Sequence, residues 1–137
     1  MKKKILISTG GSGGHVMPAI TIYDHLKNHS DVMISTDLRG FKYLDDQKYK
    51  IFLINTPRLN RFILMPFSIL VVFFLTLKSL FLLKREKINI LISTGGYMSL
   101  PLCLAAKISK IKILLLEPNM IIGKANKFLL NFSKKII

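Results

Sequence analysis

A histidine stands directly behind a cluster of glycines in GGSGGHVMPA, where Gly10, Gly11, Gly13 and Gly14 precede His15. Glycine lets a backbone turn tightly and approach a ligand, and the free N–H groups that open a helix favour phosphate. A histidine at that mouth can act as a general base near neutral pH, or it can only bind phosphate or cap the helix. The second candidate is Glu117, with Asn119 close behind it, in LLLEPNM. A carboxylate following four apolar residues, Ile113 to Leu116, is aimed at the end of a strand. The plainer alternative is a solvated turn residue.

Familiar phosphate loops do not fit the cluster. No Gly-Lys-Ser/Thr follows it, and the dinucleotide pattern G-x-G-x-x-G lacks its third glycine because Val16 stands there. Asp37 is placed about where a ribose-binding acid would sit, but before Leu38 it reads better as a turn residue or helix cap. A nicotinamide enzyme is therefore the weaker alternative.

The elements that must position these groups read as strands alternating with helices. The heptapeptide ILISTGG occurs at Ile5–Gly11 and again at Ile90–Gly96, each an apolar run that stops at two glycines. Strands are expected over Lys4–Thr9, Val32–Thr36, Lys50–Ile54, Asn89–Thr94 and Lys112–Glu117. Helices are expected over about Met17–Lys27, with Pro18 in the first turn, over Ser99–Ser109 and over Ile122–Phe132. Leu38–Gln47 holds a short helix or a loop, and the terminal KKII looks like a strand beginning. This alternation predicts an α/β fold, a Rossmann-like parallel sheet with helices on both faces. Ligands of such sheets bind beyond the carboxyl ends of the strands, so the two corners would wall one crevice if their strands are near neighbours.

The chain has 137 residues, one domain's worth, and is half hydrophobic, which argues against disorder. Its net charge of +14 would attract nucleic acid, an anionic membrane surface or a phosphorylated substrate. Cys103, the single cysteine, can form no intrachain disulfide and reads as a small core hydrophobe in a reducing compartment. MKKKILIST is too short in its apolar run for a signal peptide, so the start reads as cytoplasmic.

The uncharged segment 62–77 spans ~24 Å as a helix, short of the ~30 Å hydrocarbon core. Extending it to Leu83 takes in Lys78. One wide arc is apolar (Ile63, Ile69, Leu70, Phe73, Phe74, Leu77, Leu80, Phe81), while Ser68, Thr76 and Ser79 share another side. Arg58 and Arg61 precede it, and Lys84, Arg85 and Lys87 follow. One-sided contact with a membrane surface is the expected role, through Arg61, Ile63, Leu70, Phe73, Phe74, Leu77 and Lys78. A core helix and a true span are the alternatives.

GGSGGHVMPA, then STGGYMSLP, then LEPNMIIGKANKFL, resembles in order the N-terminal domain of the MurG family. These glycosyltransferases add N-acetylglucosamine to undecaprenyl-linked muramoyl-pentapeptide in peptidoglycan synthesis (lipid I to lipid II). The resemblance implies the N-terminal half of a GT-B fold over residues 1–137, with the donor domain absent from this chain. It implies UDP-GlcNAc and the undecaprenyl-linked acceptor as partners, an anionic membrane surface, and a peripheral location on the cytoplasmic side of the inner membrane. By position, Ser12, Gly13 and Gly14 match the first glycine loop, Asn119 a donor contact, and His15 the histidine proposed to deprotonate the acceptor. Gly95, Gly96 and Tyr97 match the second loop, and Glu117 and Asn126 match polar residues of the cleft. The family binds its donor without metal, and no metal-ligand cluster or cofactor motif is visible here. Departures are Ser12 for the usual Thr, and Leu116-Glu117-Pro118-Asn119 for the usual His-Glu-Gln-Asn, where Pro118 removes a backbone donor.

The implied reaction is inverting transfer by the complete enzyme, with His15 or Glu117 taking or relaying the proton, and the isolated chain is expected not to turn over. An alternative is a separate membrane-anchoring subunit that recruits a donor-domain partner. A nucleic-acid-binding module is weakest, because the cations flank apolar runs instead of interleaving with exposed aromatics.

Overall fold

The computed structural model describes residues 2–56, 65–117, 127, 130 and 135–136. In chain order the elements are β1 (Lys4–Ser8), α1 (Gly13–Leu26), β2 (Asp31–Thr36), α2 (Leu38–Phe41) and β3 (Ile51–Leu53). They continue with α3 (Met65–Arg85), β4 (Ile90–Ser93), α4 (Ser99–Ile108), β5 (Lys112–Leu115) and β6 (Lys135–Ile136). The helix expected over 122–132 falls almost wholly outside the described residues.

All described strand pairs are parallel, in the order β3-β2-β1-β4-β5-β6. Helices cover both faces, as the alternating pattern predicted. Ile5, Ile7, Val32 and Ile92 pack under Ala19, Ile22 and Leu26 of α1. Leu6, Met33, Leu91, Ile113 and Leu115 point the other way, onto Leu83 of α3 and Leu102, Cys103, Ala105 and Ala106 of α4. Strands covered on both faces need apolar residues at successive positions, which is why ILI recurs without alternation.

The repeated heptapeptides lie side by side. Ile5 pairs with Ile90, Leu6 with Leu91, Ile7 with Ile92 and Ser8 with Ser93. On the far side of β1, Ile7 and Ser8 pair with Ile34 and Ser35, so a third Ile-Ser-Thr, at residues 34–36, completes the row. Ser8, Ser35 and Ser93 are buried at the carboxyl end of the sheet. Strand order reverses between β1 and β4, because the chain builds β2 and β3 to one side and then crosses over through α3.

Helix α1 begins at Gly13, four residues earlier than expected, and Pro18 lies inside it. The glycines hid the start, since their conformational freedom makes them poor helix markers. Pro18 cannot donate to the Gly14 carbonyl one turn back, so the helix opens with a weakened first turn. The expected cap at Asp37 is present: its side chain accepts the Gly40 N–H at 2.9 Å.

The apolar arc of α3 faces outward. Ser68, Val72, Thr76, Ser79 and Leu83 are buried along the side that meets the protein, whereas Phe67, Ile69, Leu70, Phe73, Phe74, Leu77 and Phe81 are exposed. Leu80, expected on the outer arc, packs partly against the core. Small hydroxylated residues on the inner side let α3 lie close to α4, and the Thr76 hydroxyl donates to the Val72 carbonyl at 2.8 Å. Residues 66–85 are long and apolar enough to cross a membrane by length and composition alone.

Candidate functional site

Both glycine corners lie at the reversal of strand order, the place where open parallel sheets leave a crevice beyond their carboxyl ends. Gly10 (φ 149°), Gly11 (φ 80°), Gly95 (φ 95°) and Gly96 (φ 91°) all adopt conformations that side chains disfavour. A Cβ on Gly10 would stand 2.6 Å from Asp37 Oδ1 and 2.9 Å from Met98 Cε, and one on Gly96 would stand 3.0 Å from Met98 Sδ. Met98, buried and next to the start of α4, thus packs against both corners.

Polar contacts tie the corners together. The Thr94 hydroxyl donates to Thr9 Oγ1 at 2.8 Å, and the Thr94 N–H donates to the Ser8 carbonyl at 3.0 Å. His15, in the first turn of α1, places Nδ1 2.7 Å from the Thr94 carbonyl oxygen. A carbonyl can only accept, so Nδ1 carries the hydrogen. In the neutral ring Nε2 then holds the lone pair and is the nitrogen that can take a proton.

Ser12 is the N-cap of α1, and its hydroxyl makes no capping hydrogen bond. The amides of Gly13 and Gly14, in the first turn, have no acceptor within the helix and sit at the positive end of its dipole. The loop is braced from behind by Asp37, whose Oδ1 accepts the Gly11 N–H at 2.9 Å as well as that of Gly40. Arg39 holds Oδ2 through Nε at 2.9 Å and Nη2 at 2.8 Å. Burial pushes the Asp37 carboxyl up, but these donors outweigh it and hold its pKa below the ordinary 3.8. Tyr43, half-exposed, lays its ring 3.5 Å from where a Gly13 side chain would begin.

Gly95, Gly96 and Tyr97 form the turn between β4 and α4 on the other side of the crevice. The Gly95 N–H meets Ser93 Oγ at 3.2 Å, and Ser99 Oγ donates to the Gly96 carbonyl at 2.6 Å. Glu117, half-buried, lies two residues past β5, beyond Leu116, whose N–H donates to the Ser93 carbonyl. It therefore shares the carboxyl edge with His15. Asn119, Asn126, Arg61 and Ile63 lie outside the described residues. Thr94, Met98, Asp37 as loop brace and Tyr43 were not singled out for the site from the sequence. The third Ile-Ser-Thr, which Asp37 follows directly, is the one signal that could have placed Asp37 beside the corners.

A match to the glycosyltransferase family 28 N-terminal domain runs over residues 5–137. The chain belongs to that family. Among relatives, it is 50% identical over 137 residues to the UDP-N-acetylglucosamine--N-acetylmuramyl-(pentapeptide) pyrophosphoryl-undecaprenol N-acetylglucosamine transferase of Pelagibacter ubique, covering 99% of this chain and 38% of the relative. Among solved structures, the crystal structure of Acinetobacter baumannii MurG superposes with a TM-score of 0.84 at 25% identity, over 98% of this chain and 40% of that one. The fold alone is shared with the UDP-GlcNAc 2-epimerase of Neisseria meningitidis, at TM-score 0.68 and 16% identity, covering 98% of this chain and 39% of that one. The family 28 domain thus has the Rossmann-like fold that the MurG resemblance implied, and it spans well under half the length of these proteins.

Proposed function

We propose that this domain is the acceptor-binding and membrane-facing half of an inverting transferase that moves GlcNAc from UDP-GlcNAc to undecaprenyl-pyrophosphoryl-MurNAc-pentapeptide. The observation that carries the proposal is the His15–Thr94 hydrogen bond, which joins the two glycine corners and turns Nε2 into the basic nitrogen. The relatives supply the substrates: the Pelagibacter ubique protein is named for this donor and acceptor.

In the proposed reaction the acceptor sugar's hydroxyl attacks the anomeric carbon of the donor from the face opposite UDP. The new C–O bond forms as the bond to the UDP oxygen breaks, and configuration inverts. His15 Nε2 takes the hydroxyl proton, with Glu117 on the same edge to receive or relay it. Negative charge grows on the departing diphosphate, or sits on that of the acceptor, and the Gly13 and Gly14 amides with the α1 dipole stabilise it. Ser12, Gly95, Gly96, Tyr97, Asn119 and Asn126 line the crevice on this reading. A further domain contributes most donor contacts, so residues 1–137 alone do not turn over.

The outer face of α3 meets the membrane from the cytoplasmic side. Leu70, Phe73, Phe74 and Leu77 enter the interface together with Ile63, while Lys78 and Arg61 contact anionic headgroups; Arg61 and Ile63 lie outside the described residues. Radiolabelled GlcNAc transfer to the lipid-linked acceptor by the complete protein tests the reaction. No transfer by a folded complete protein, with both substrates bound, would overturn it. Release of the protein from membranes by high salt tests peripheral attachment, and retention would indicate a span.

A further inference from the structure

A cavity of about 320 Å³ opens at the carboxyl ends of β2 and β3, lined by Asp37, Leu38, Arg39, Asn55 and Thr56, and the reaction above does not use it. Its polar groups are donors with hydrogens to spare. Arg39 gives Nε and one Nη to a single Asp37 oxygen, which leaves the rest of its guanidinium hydrogens. Asn55 spends its Oδ1 on the Leu38 N–H at 3.0 Å, leaving its NH2 group as donor. Thr56 completes the wall, but its hydroxyl is enclosed and has no hydrogen-bond partner among the described residues, so Arg39 and Asn55 supply the donors.

The one acid on the wall does not repel an anion. Asp37 is almost fully buried, and its two oxygens are occupied by Gly11, Gly40 and Arg39. Guanidinium and amide donors beside one space are the chemistry that holds a carboxylate, and the net charge of +14 adds a favourable field. The cavity also borders the crevice: Arg39 Nη2 stands 3.9 Å from where a Gly11 side chain would begin. A long acceptor with its hydroxyl near His15 can pass Gly11 along the sheet edge and reach it.

We infer that this cavity is a subsite for a carboxylate of the acceptor's peptide, an inference that rests on the acceptor proposed above. The pentapeptide named in the relatives supplies such a group at its C-terminus. The subsite adds selectivity for a charged peptide to a crevice that otherwise recognises sugar and diphosphate.

The experiment measures acceptor KM in the complete protein for two acceptors, one with free peptide carboxylates and one with them converted to carboxamides. Wild type should prefer the free acid about tenfold, the scale of one charge-assisted contact. Asn55→Asp keeps the oxygen that accepts from Leu38 but faces the ligand with a like charge, and should abolish the preference. Thr56→Val changes only an enclosed hydroxyl at constant size and should leave the preference intact, which makes it the control. Equal KM for both acceptors in wild type, or an unchanged preference in Asn55→Asp, overturns the inference. So does a variant effect confined to the KM for UDP-GlcNAc, which would assign the cavity to the donor. Absence of transfer by wild type would instead overturn the proposed function.

Discussion

His15 Nδ1 donates to the carbonyl oxygen of Thr94 at 2.7 Å, across 79 residues of chain and between the two glycine corners. One hydrogen bond thereby fixes the orientation of the imidazole, its neutral tautomer and the relative placement of the crevice walls. Replacing His15 by Asn separates these roles, because the Asn amide can reproduce the Nδ1 donor but offers nothing at Nε2. In the complete protein, H15N should keep a melting temperature close to wild type while kcat falls about 10²- to 10⁴-fold, the range for loss of a general base. A rise in KM with kcat preserved would make His15 a binding residue only.

Asp37 makes the glycine loop sensitive to acid. Its carboxyl has a depressed pKa in the fold, so the stabilisation is complete above the ordinary value of 3.8 and is lost as pH falls through the lower folded value. Asp37→Asn should lower stability by about 1–3 kcal/mol at neutral pH, as partners of a buried charge lose their match. Thermal melts from about pH 6 to about pH 2 should show the gap between wild type and variant narrowing below about 3.8. A gap that stays constant would mean the carboxylate charge contributes nothing.

Gly10 has no room for a methyl group. Its φ of 149° and the 2.6 Å approach of Asp37 Oδ1 to a built Cβ predict that Gly10→Ala costs about 1–3 kcal/mol, seen as a lower urea midpoint. Gly14 offers the control, since its nearest built contact is the Ser12 hydroxyl at 3.7 Å. Gly14→Ala should leave stability within about 0.5 kcal/mol of wild type, the usual range away from special sites.

The outward face of α3 predicts a split between stability and membrane affinity. Phe73→Ser with Phe74→Ser removes two exposed rings whose centroids stand 6.0 Å apart. The double variant should melt within a few degrees of wild type yet lose about tenfold or more in sedimentation with anionic vesicles. Equal sedimentation would move the membrane contact elsewhere.

Cys103 should be inert in the folded protein. Burial pushes its thiol up to about 12, against a smaller opposing hydrogen bond with Ser93. Thiolate is therefore scarce at about pH 8, and a disulfide reagent should label the thiol only after denaturant is added. Rapid native labelling would show that α4 opens away from the sheet.

Local patterns carried most of the architecture. ILI before each glycine pair reads as a strand buried on both faces, and the spacing of apolar segments set the order of strands and helices. Boundaries failed where glycine removed the signal, so α1 was placed four residues late. For α3 the sequence showed both an apolar arc and a hydroxylated side. Burial of Ser68, Thr76 and Ser79 against the protein was decided by close packing on α4, a contact between segments far apart in the chain.

The sequence by itself therefore determined most of the secondary elements, the two glycine corners, the basic field and the MurG-type motifs, since each depends on residues near one another in the chain. Tertiary structure decided that β1 and β4 are neighbours, that His15 reaches Thr94, that Met98 packs against both corners and that Asp37 braces Gly11. Those facts depend on strand order and register. Both are set by the crossover of α3 and the packing of helices on two faces, which no window of sequence contains.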